Sequence, residues 1–277
     1  MDCVGSYIYL DGNIITVDGR DEIVSGDVSF YEVIRTRDGV PLFFDDHMKR
    51  LEDGIMTRYS ISSDIAEEVR RGLNALISHE RHNEINVRVT VTFAGKDRSL
   101  HICYIHSSYP SDEMVREGVH LILYHAERPD PGVKMLNTSL RLAVNEELIR
   151  RQAYEALLVN SGGYITEGSR SNIFFITGSG IIHTAPDSMV LPGITRSYVT
   201  EIVGNEGIPL VFGAVKESSL DSYRSAFITG TSPMVLAVRS VEGKLFDVSD
   251  PIIRRLREVY NGLAEHSILD YRKKNNT

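Results

Sequence analysis

Two cysteines in 277 residues are too few for a disulfide framework, and Cys3 and Cys103 stand at no metal-ligand spacing. Cys103 lies in the alternating run His101-Ile102-Cys103-Tyr104-Ile105-His106 and is expected to pack as a small apolar group. No apolar run reaches the roughly 18–20 residues of a membrane-spanning helix. The start, Met1-Asp2-Cys3-Val4-Gly5, lacks the charged residues and apolar stretch of a secretory signal. No block of Lys and Arg offsets the net charge of −8, which argues against broad binding to nucleic acid or anionic membranes. The basic Arg272-Lys273-Lys274 reads as a solvated end. The nine histidines are scattered, and His79-Glu80-Arg81-His82 lacks the His-x-x-x-His spacing that puts two metal ligands on one helix face. Gly178-Ser179-Gly180 is a hairpin turn, too short for a dinucleotide fingerprint. Internal repeats and low-complexity tracts are also missing. The expectation is a cytoplasmic globular protein with no metal, nucleic-acid or membrane partner.

The hydrophobic content of 42% is ordinary for such a chain, and its length allows one large domain or two smaller ones. Short strands are expected at Tyr7–Leu10 and Ile14–Val17, around the Asp11-Gly12-Asn13 turn. A further strand at Phe30–Thr36 ends on Asp38-Gly39, and its alternation puts Tyr31, Val33 and Arg35 on one face. Asp45 or Asp46 is placed to cap a helix running to about Arg58, and Ser63 another running to about Ser78. Ile85–Phe93 and Leu100–Ile105 read as paired strands. Polar and turn residues cluster at Ser107–Asp112, and the division drawn from the sequence is a small domain 1–108, a linker 109–118 and a larger domain 119–277. In the latter, strands are expected near Val119–Tyr124, Ala156–Val159, Ile173–Ile176, Ile181–His183, Ala226–Ile228 and Val235–Val238. Helices are expected near Thr138–Gln152, Thr195–Val203 and Pro251–His266. The class is α+β with two lobes.

Three segments carry chemistry. Lys134 sits between Pro129-Asp130-Pro131-Gly132 and Asn137-Thr138, so the backbone is constrained on both sides. In a dry cleft such a lysine becomes a nucleophile and a proton carrier; taken alone it reads as a surface lysine. Glu167 lies between a strand ending near Thr166 and Gly168, where the chain can turn sharply. A carboxylate there suits a protonated pyridine nitrogen, and taken alone it is a turn glutamate. Ser171 and Asn172 read as ties for this loop. Leu191-Pro192-Gly193-Ile194-Thr195-Arg196 opens a helix whose unsatisfied N–H groups and positive dipole end suit a phosphate; Thr195 equally serves as a plain N-cap. Thr229-Gly230-Thr231-Ser232-Pro233 offers hydroxyls to the same kind of ligand, or is an ordinary turn. Arg50, on the first helix, has a guanidinium that matches phosphate when it is not simply solvated.

The order of these pieces resembles the class IV, fold-type IV, pyridoxal-phosphate-dependent aminotransferases. The resemblance is carried by Phe30-Tyr31-Glu32-Val33-Ile34-Arg35, His47-Met48-Lys49-Arg50-Leu51, Lys134-Met135-Leu136-Asn137, Tyr154-Glu155-Ala156-Leu157-Leu158, Thr166-Glu167-Gly168-Ser169 through Phe174, Leu191–Arg196 and Thr229–Ser232. It implies that Lys134 anchors pyridoxal 5′-phosphate covalently and moves the substrate proton, and that Glu167 pairs with the pyridine nitrogen. It implies that Arg50, the amides of Ile194 and Thr195, and Thr231 with Ser232 hold the phosphate. A small N-terminal lobe, a larger C-terminal lobe and a homodimer are implied as well.

Substrate choice rests on fewer residues. Tyr31-Glu32-Val33-Ile34-Arg35 resembles the D-amino acid group more than the Phe-Glu-Gly-Ile-Arg form of branched-chain enzymes. Tyr31 and Val33 are expected to line the pocket, with Arg35 either reaching a carboxylate or standing as a rim charge. The Arg-x-His pair with which the D-amino acid enzymes bind carboxylate is missing from Thr92–Leu100, where Arg98 either substitutes or belongs to a turn. Arg88 reads as structurally partnered. The usual Tyr-Gly-Asp-Gly lead-in is altered to Ser25-Gly26-Asp27-Val28-Ser29. The expected activity is ping-pong transfer between a D-amino acid and 2-oxoglutarate or pyruvate. Alternatives are a branched-chain L-amino acid aminotransferase, an aminodeoxychorismate lyase, and a non-catalytic binding protein that keeps the fold.

Overall fold

The computed structural model describes residues 3–17, 26–59, 65–136 and 138–275; Ser25, Ser63 and Asn137, with the readings attached to them, lie outside these. The chain forms two compact units, one of Met1–Ser108, Val133–Leu136 and Ala264–Thr277, the other of Tyr109–Gly132 and Asn137–Leu263.

The first unit contains strands β1 (Cys3–Leu10), β2 (Asn13–Thr16), β3 (Val28–Arg37) and β4 (Val40–Pro41), helices α1 (Phe44–Tyr59) and α2 (Ile65–His79), then β5 (Glu84–Ala94) and β6 (Asp97–Ile105). The strands make one sheet in the order β2-β1-β6-β5-β3-β4, antiparallel throughout. Its two faces differ because the side-chain period of a strand is two. Phe30, Ile34, Val87, Val89, Val91, Leu100 and Ile102 form a core with Met48, Leu51 and Ile55 of α1 and Val69, Leu73 and Leu76 of α2. Those helix positions recur at the three- and four-residue spacing of an amphipathic helix. Gly72 lets α2 approach closely, since a Cβ there would stand 2.7 Å from Ile102 and 2.8 Å from Tyr9. Asp45 and Asp46 occupy the first turn of α1, where acidic side chains favour the positive helix end.

The opposite face is polar yet buried. The register sets Tyr31 opposite Thr90, Val33 opposite Arg88 and Arg35 opposite Asn86, with Cys103 next to Arg88 and His101 next to Thr90 on the far side of β5. The outer edge of β3 is shared. β4 pairs only at Thr36 and Arg37, and farther up the same strand Tyr31 N–H donates to the Lys134 carbonyl (3.1 Å) while Leu136 N–H donates to the Ser29 carbonyl (3.1 Å). Met135 bridges Phe30 between them. The Lys134 segment is thus an added strand edge of the first unit.

The second unit holds α3 (Asp112–Glu117), β7 (Val119–His125), α4 (Thr138–Arg151), β8 (Glu155–Val159), β9 (Tyr164–Gly168), β10 (Asn172–Thr177), β11 (Ile182–Thr184), α5 (Ile194–Asn205), β12 (Leu210–Phe212), β13 (Val215–Lys216), β14 (Tyr223–Gly230), β15 (Met234–Val241) and β16 (Lys244–Leu245). The final helix α6 (Pro251–Asn275) begins in this unit and ends in the first. The sheet order is β12-β11-β10-β14-β15-β7-β8-β9-β13, with β16 on β15. Parallel pairing of β7 with β8 and with β15 is made possible by crossovers such as α4. Leu121, Leu157, Ile173, Phe175, Ile228, Leu236 and Val238 fill the core. Residues 112–117 are helical, capped by Ser111 Oγ on Met114 N–H (3.2 Å). Mixed helices and sheets agree with the α+β expectation.

Candidate active site

In the first unit, Lys134 Nζ lies 4.8 Å from the centroid of the Tyr31 ring, a cation–π distance. Glu32, the next residue on β3, points to the helix side and is fully buried. Its carboxylate accepts from Arg50 Nε (2.7 Å) and Nη2 (2.6 Å) and from His47 Nδ1 (2.7 Å). Burial alone would raise the Glu32 carboxyl, but the Arg50 charge and the His47 and Arg50 hydrogen bonds outweigh it and bring it down to about 2. Burial holds His47 below its ordinary value; the Arg50 and Lys134 charges add to this, and Glu32 opposes it. The α1 residues His47 and Arg50 are therefore oriented by one buried carboxylate.

The other candidate arginines part company. Arg35, on the Tyr31 face, is held by Glu84 through Nε (3.0 Å) and Nη2 (2.9 Å). Arg98 lies within β6, beyond the Gly95-Lys96 turn, and pairs in register with Phe93. That register turns it to the helix side of the sheet, where Nη2 donates to Glu68 at 2.6 Å. Arg88 is different. It sits beside Val33 on the Tyr31 face, is 6% exposed, and its Nη2 is 3.4 Å from both Cys3 Sγ and Cys103 Sγ. Those two sulfurs are joined as a disulfide, which corrects the expectation that Cys103 packs only as a small apolar group. The missed signal was register: β1 and β6 pair Cys3 with Ile105 and Val4 with Tyr104, bringing together residues 100 apart in sequence.

In the second unit, Glu167 lies inside β9 and is 2% exposed. Its Oε1 is 2.9 Å from Arg128 Nε, and its Oε2 accepts the Leu191 N–H at 3.0 Å. Asn172 Nδ2 donates to the Leu191 carbonyl at 3.0 Å, so Glu167 and Asn172 together fix the loop that leads into α5. Ser171 donates instead to Glu155 (3.0 Å), a buried carboxylate that also accepts from Ser169 Oγ (2.6 Å) and the amide of Arg170 (3.1 Å). Both ties agree with the loop-holding role expected for Ser171 and Asn172.

The N-cap of α5 is Gly193, which has no side chain to satisfy the first-turn amides of Ile194 and Thr195. Thr195 is not the cap; its hydroxyl bonds the Tyr260 hydroxyl at 3.0 Å. A Cβ on Gly193 would stand 2.2 Å from Asn172 Oδ1, so the close approach requires glycine. Across the sheet Asn172 pairs with Thr229, which places both side chains on the same face. Thr229 Oγ1 is buried with no hydrogen-bond partner among the described residues. An uncapped helix start and an orphaned buried hydroxyl on one cluster are what an absent anion would satisfy. Thr231 and Ser232 follow in the turn after β14. These residues fit a phosphate group.

Residues 29–241 match the family model described as amino-transferase class IV. The chain belongs to the class IV aminotransferases. It is 25% identical to the branched-chain-amino-acid aminotransferase of Escherichia coli K12 over 93% of this chain and 92% of that protein. It is 26% identical to the D-alanine aminotransferase of Bacillus licheniformis over 80% of this chain and 81% of that protein. The crystal structure of the E. coli branched-chain enzyme superimposes with a TM-score of 0.81 at 23% identity, covering 94% of this chain and 95% of that one. The fold is accordingly fold-type IV, and the class IV member described here is an aminotransferase.

Proposed function

We propose that this chain is a pyridoxal-phosphate-dependent transaminase whose amino donor is a branched-chain L-amino acid and whose acceptor is a 2-oxo acid. The observation that carries the cofactor reading is the main-chain pairing of Lys134 with β3, which fixes the one lysine of the Lys-Met-Leu-Asn motif over Tyr31. Bound there, the cofactor supplies an electron sink for the bond-breaking at the substrate α-carbon. Lys134 holds it covalently and carries the proton to and from that carbon. Glu167, with Arg128 as its counter-charge, would pair with the pyridine nitrogen. The Ile194 and Thr195 amides, Thr229, Thr231 and Ser232 would hold the phosphate, and the family resemblance would add Arg50.

The branched-chain reading departs from the D-amino acid expectation for two reasons. Most relatives matched by the chain carry branched-chain names, as the E. coli enzyme does, and neither Arg35 nor Arg98 stands clear of a carboxylate of its own. Arg88 is the better carboxylate anchor. It shares a face with Tyr31 and Val33. A D-amino acid donor is the second reading, supported by the likeness to the B. licheniformis enzyme. The homodimer is part of the proposal and is read by sedimentation.

The test adds pyridoxal phosphate to wild-type protein and to Lys134→Ala, removes excess by gel filtration, and records the visible band of retained cofactor. Bleaching of the wild-type band is then followed with L-leucine and with D-alanine. Retention in wild type only, with faster bleaching by L-leucine, is expected. Faster bleaching by D-alanine would restore the D-amino acid reading, and loss of all cofactor from wild type would remove both.

A further inference from the structure

We propose that Glu155 is a positioning residue: its buried carboxylate clamps the turn between β9 and β10, and so sets Glu167 and Asn172, at the two ends of that turn, for the cofactor before it binds. This rests on the reading of Glu167 as the partner of the pyridine nitrogen. Glu155 opens β8 and is 3% exposed. Its Oε1 accepts from the Ala156 amide (2.8 Å) and Ser169 Oγ (2.6 Å). Its Oε2 accepts from the Arg170 amide (3.1 Å) and Ser171 Oγ (3.0 Å). All four donors are neutral, and three of them come from the same turn. An ionised carboxylate offers about four acceptor sites, and these four donors match them.

The rest of the turn is tied down as well. The Gly168 amide donates to the Ser171 carbonyl (2.7 Å) and the Ser169 amide to the Ala156 carbonyl (2.8 Å). Arg128 Nη2 donates to the Ser169 carbonyl (2.5 Å), while Nε of the same arginine lies 2.9 Å from Glu167. A Cβ on Gly168 would stand 2.1 Å from Ser171 Oγ and 3.2 Å from the Glu155 side chain, so the turn lies directly on the carboxylate.

Glu167 comes just before this turn and Asn172 just after it. Their side chains meet the amide and the carbonyl of Leu191, so a displaced turn moves both holds on the loop that enters α5. Burying a charge opposes folding unless it is fully hydrogen-bonded, and a short turn closes without one. What the carboxylate adds is placement: groups that meet a ligand need to be held to within about 0.5 Å. Glutamine at 155 would keep one oxygen but turn an NH2 group on a donor, either the Ala156 or the Arg170 amide.

The experiment saturates wild type, Glu155→Gln, Ser171→Ala and Glu167→Gln with 15N-labelled pyridoxal phosphate. It records the 15N shift of the pyridine nitrogen and, by equilibrium dialysis, the retention of cofactor. Glu155→Gln should move the 15N shift in the same direction as Glu167→Gln but less far, and weaken retention roughly tenfold. Ser171→Ala, which removes one donor and leaves the charge, should change both in the same direction by a smaller amount. Hydrogen exchange on the wild-type protein without cofactor tests the clamp even if Glu155→Gln does not fold: the Arg170 amide should already be protected. An Arg170 amide that exchanges freely until cofactor is added would overturn the proposal. So would wild-type 15N shifts in both Glu155→Gln and Ser171→Ala while Glu167→Gln moves the signal. An unmoved signal in Glu167→Gln removes the reading of Glu167 itself, and this proposal with it.

Discussion

Lys134 owes its proposed role to a partner strand rather than to its neighbours in sequence. Two backbone hydrogen bonds to β3 hold it over Tyr31. Removing the amine leaves that pairing intact, so Lys134→Ala is expected to fold normally, as circular dichroism would show, while turnover drops by on the order of 10³-fold or more, the loss of a nucleophile and proton carrier together. Arg88 makes a different prediction. Charged hydrogen bonds are worth about 1.5–3 kcal/mol, so Arg88→Ala should raise KM for the amino donor by roughly 10- to 100-fold with a smaller change in kcat. A wild-type KM in that variant would return the carboxylate to another residue. The sequence did mark Lys134, Glu167 and Arg50. It read Arg88 as structurally partnered, and the Cys3 and Cys103 sulfurs are such partners; which face Arg88 occupies needed the register. Nor did it show that Glu68 and Glu84 already hold Arg98 and Arg35.

The element that matters most is the N-terminal end of α5. Its glycine cap, the Asn172 side chain against it and the buried Thr229 hydroxyl form one arrangement, and only the helix and its glycine were legible beforehand. Thr195 read as a cap because threonine is a good one; Tyr260, 65 residues away, claims its hydroxyl instead. Gly193→Ala forces a methyl group against Asn172, which is expected to cost about 1–3 kcal/mol by overpacking. Equilibrium dialysis should show weaker retention of pyridoxal phosphate, and urea titration should show the stability loss. Unaltered binding would separate this helix end from the phosphate. The long strands β3 and β5 were readable nearly in full from the sequence, and β14 only at its Ala226–Ile228 centre. The Val133–Leu136 edge was not, since a short extended segment gains its identity from pairing with a strand about a hundred residues earlier. The final helix continued beyond its expected end at His266 because Tyr271 packs into the first unit against Phe44, ring centroids 5.5 Å apart.

At the scale of the whole molecule, the buried Glu32–His47–Arg50 group ties stability to pH. Both Glu32 and His47 have folded-state values below their ordinary ones of 4.5 and 6.5. For each, the unfolded chain takes up a proton first, so its contribution is present above the ordinary value and is lost as pH falls. Urea midpoints should decline below about pH 6.5 as His47 is affected, and again from 4.5 toward about 2 through Glu32. Glu32→Gln leaves the partly buried Arg50 beside a neutral group and should cost about 1–3 kcal/mol, while flattening the lower of the two declines. A variant with the wild-type profile would show that the charge on Glu32 is not what holds α1 to β3. The α+β class was legible from the order of strand and helix patterns along the chain.

The most direct test of the central claim is to find the residue that bonds the cofactor. Protein loaded with pyridoxal phosphate is reduced with borohydride, digested, and the modified lysine is located by mass spectrometry. The pyridoxyl group is expected on Lys134. Its appearance on any other lysine, or on none, would contradict the proposal.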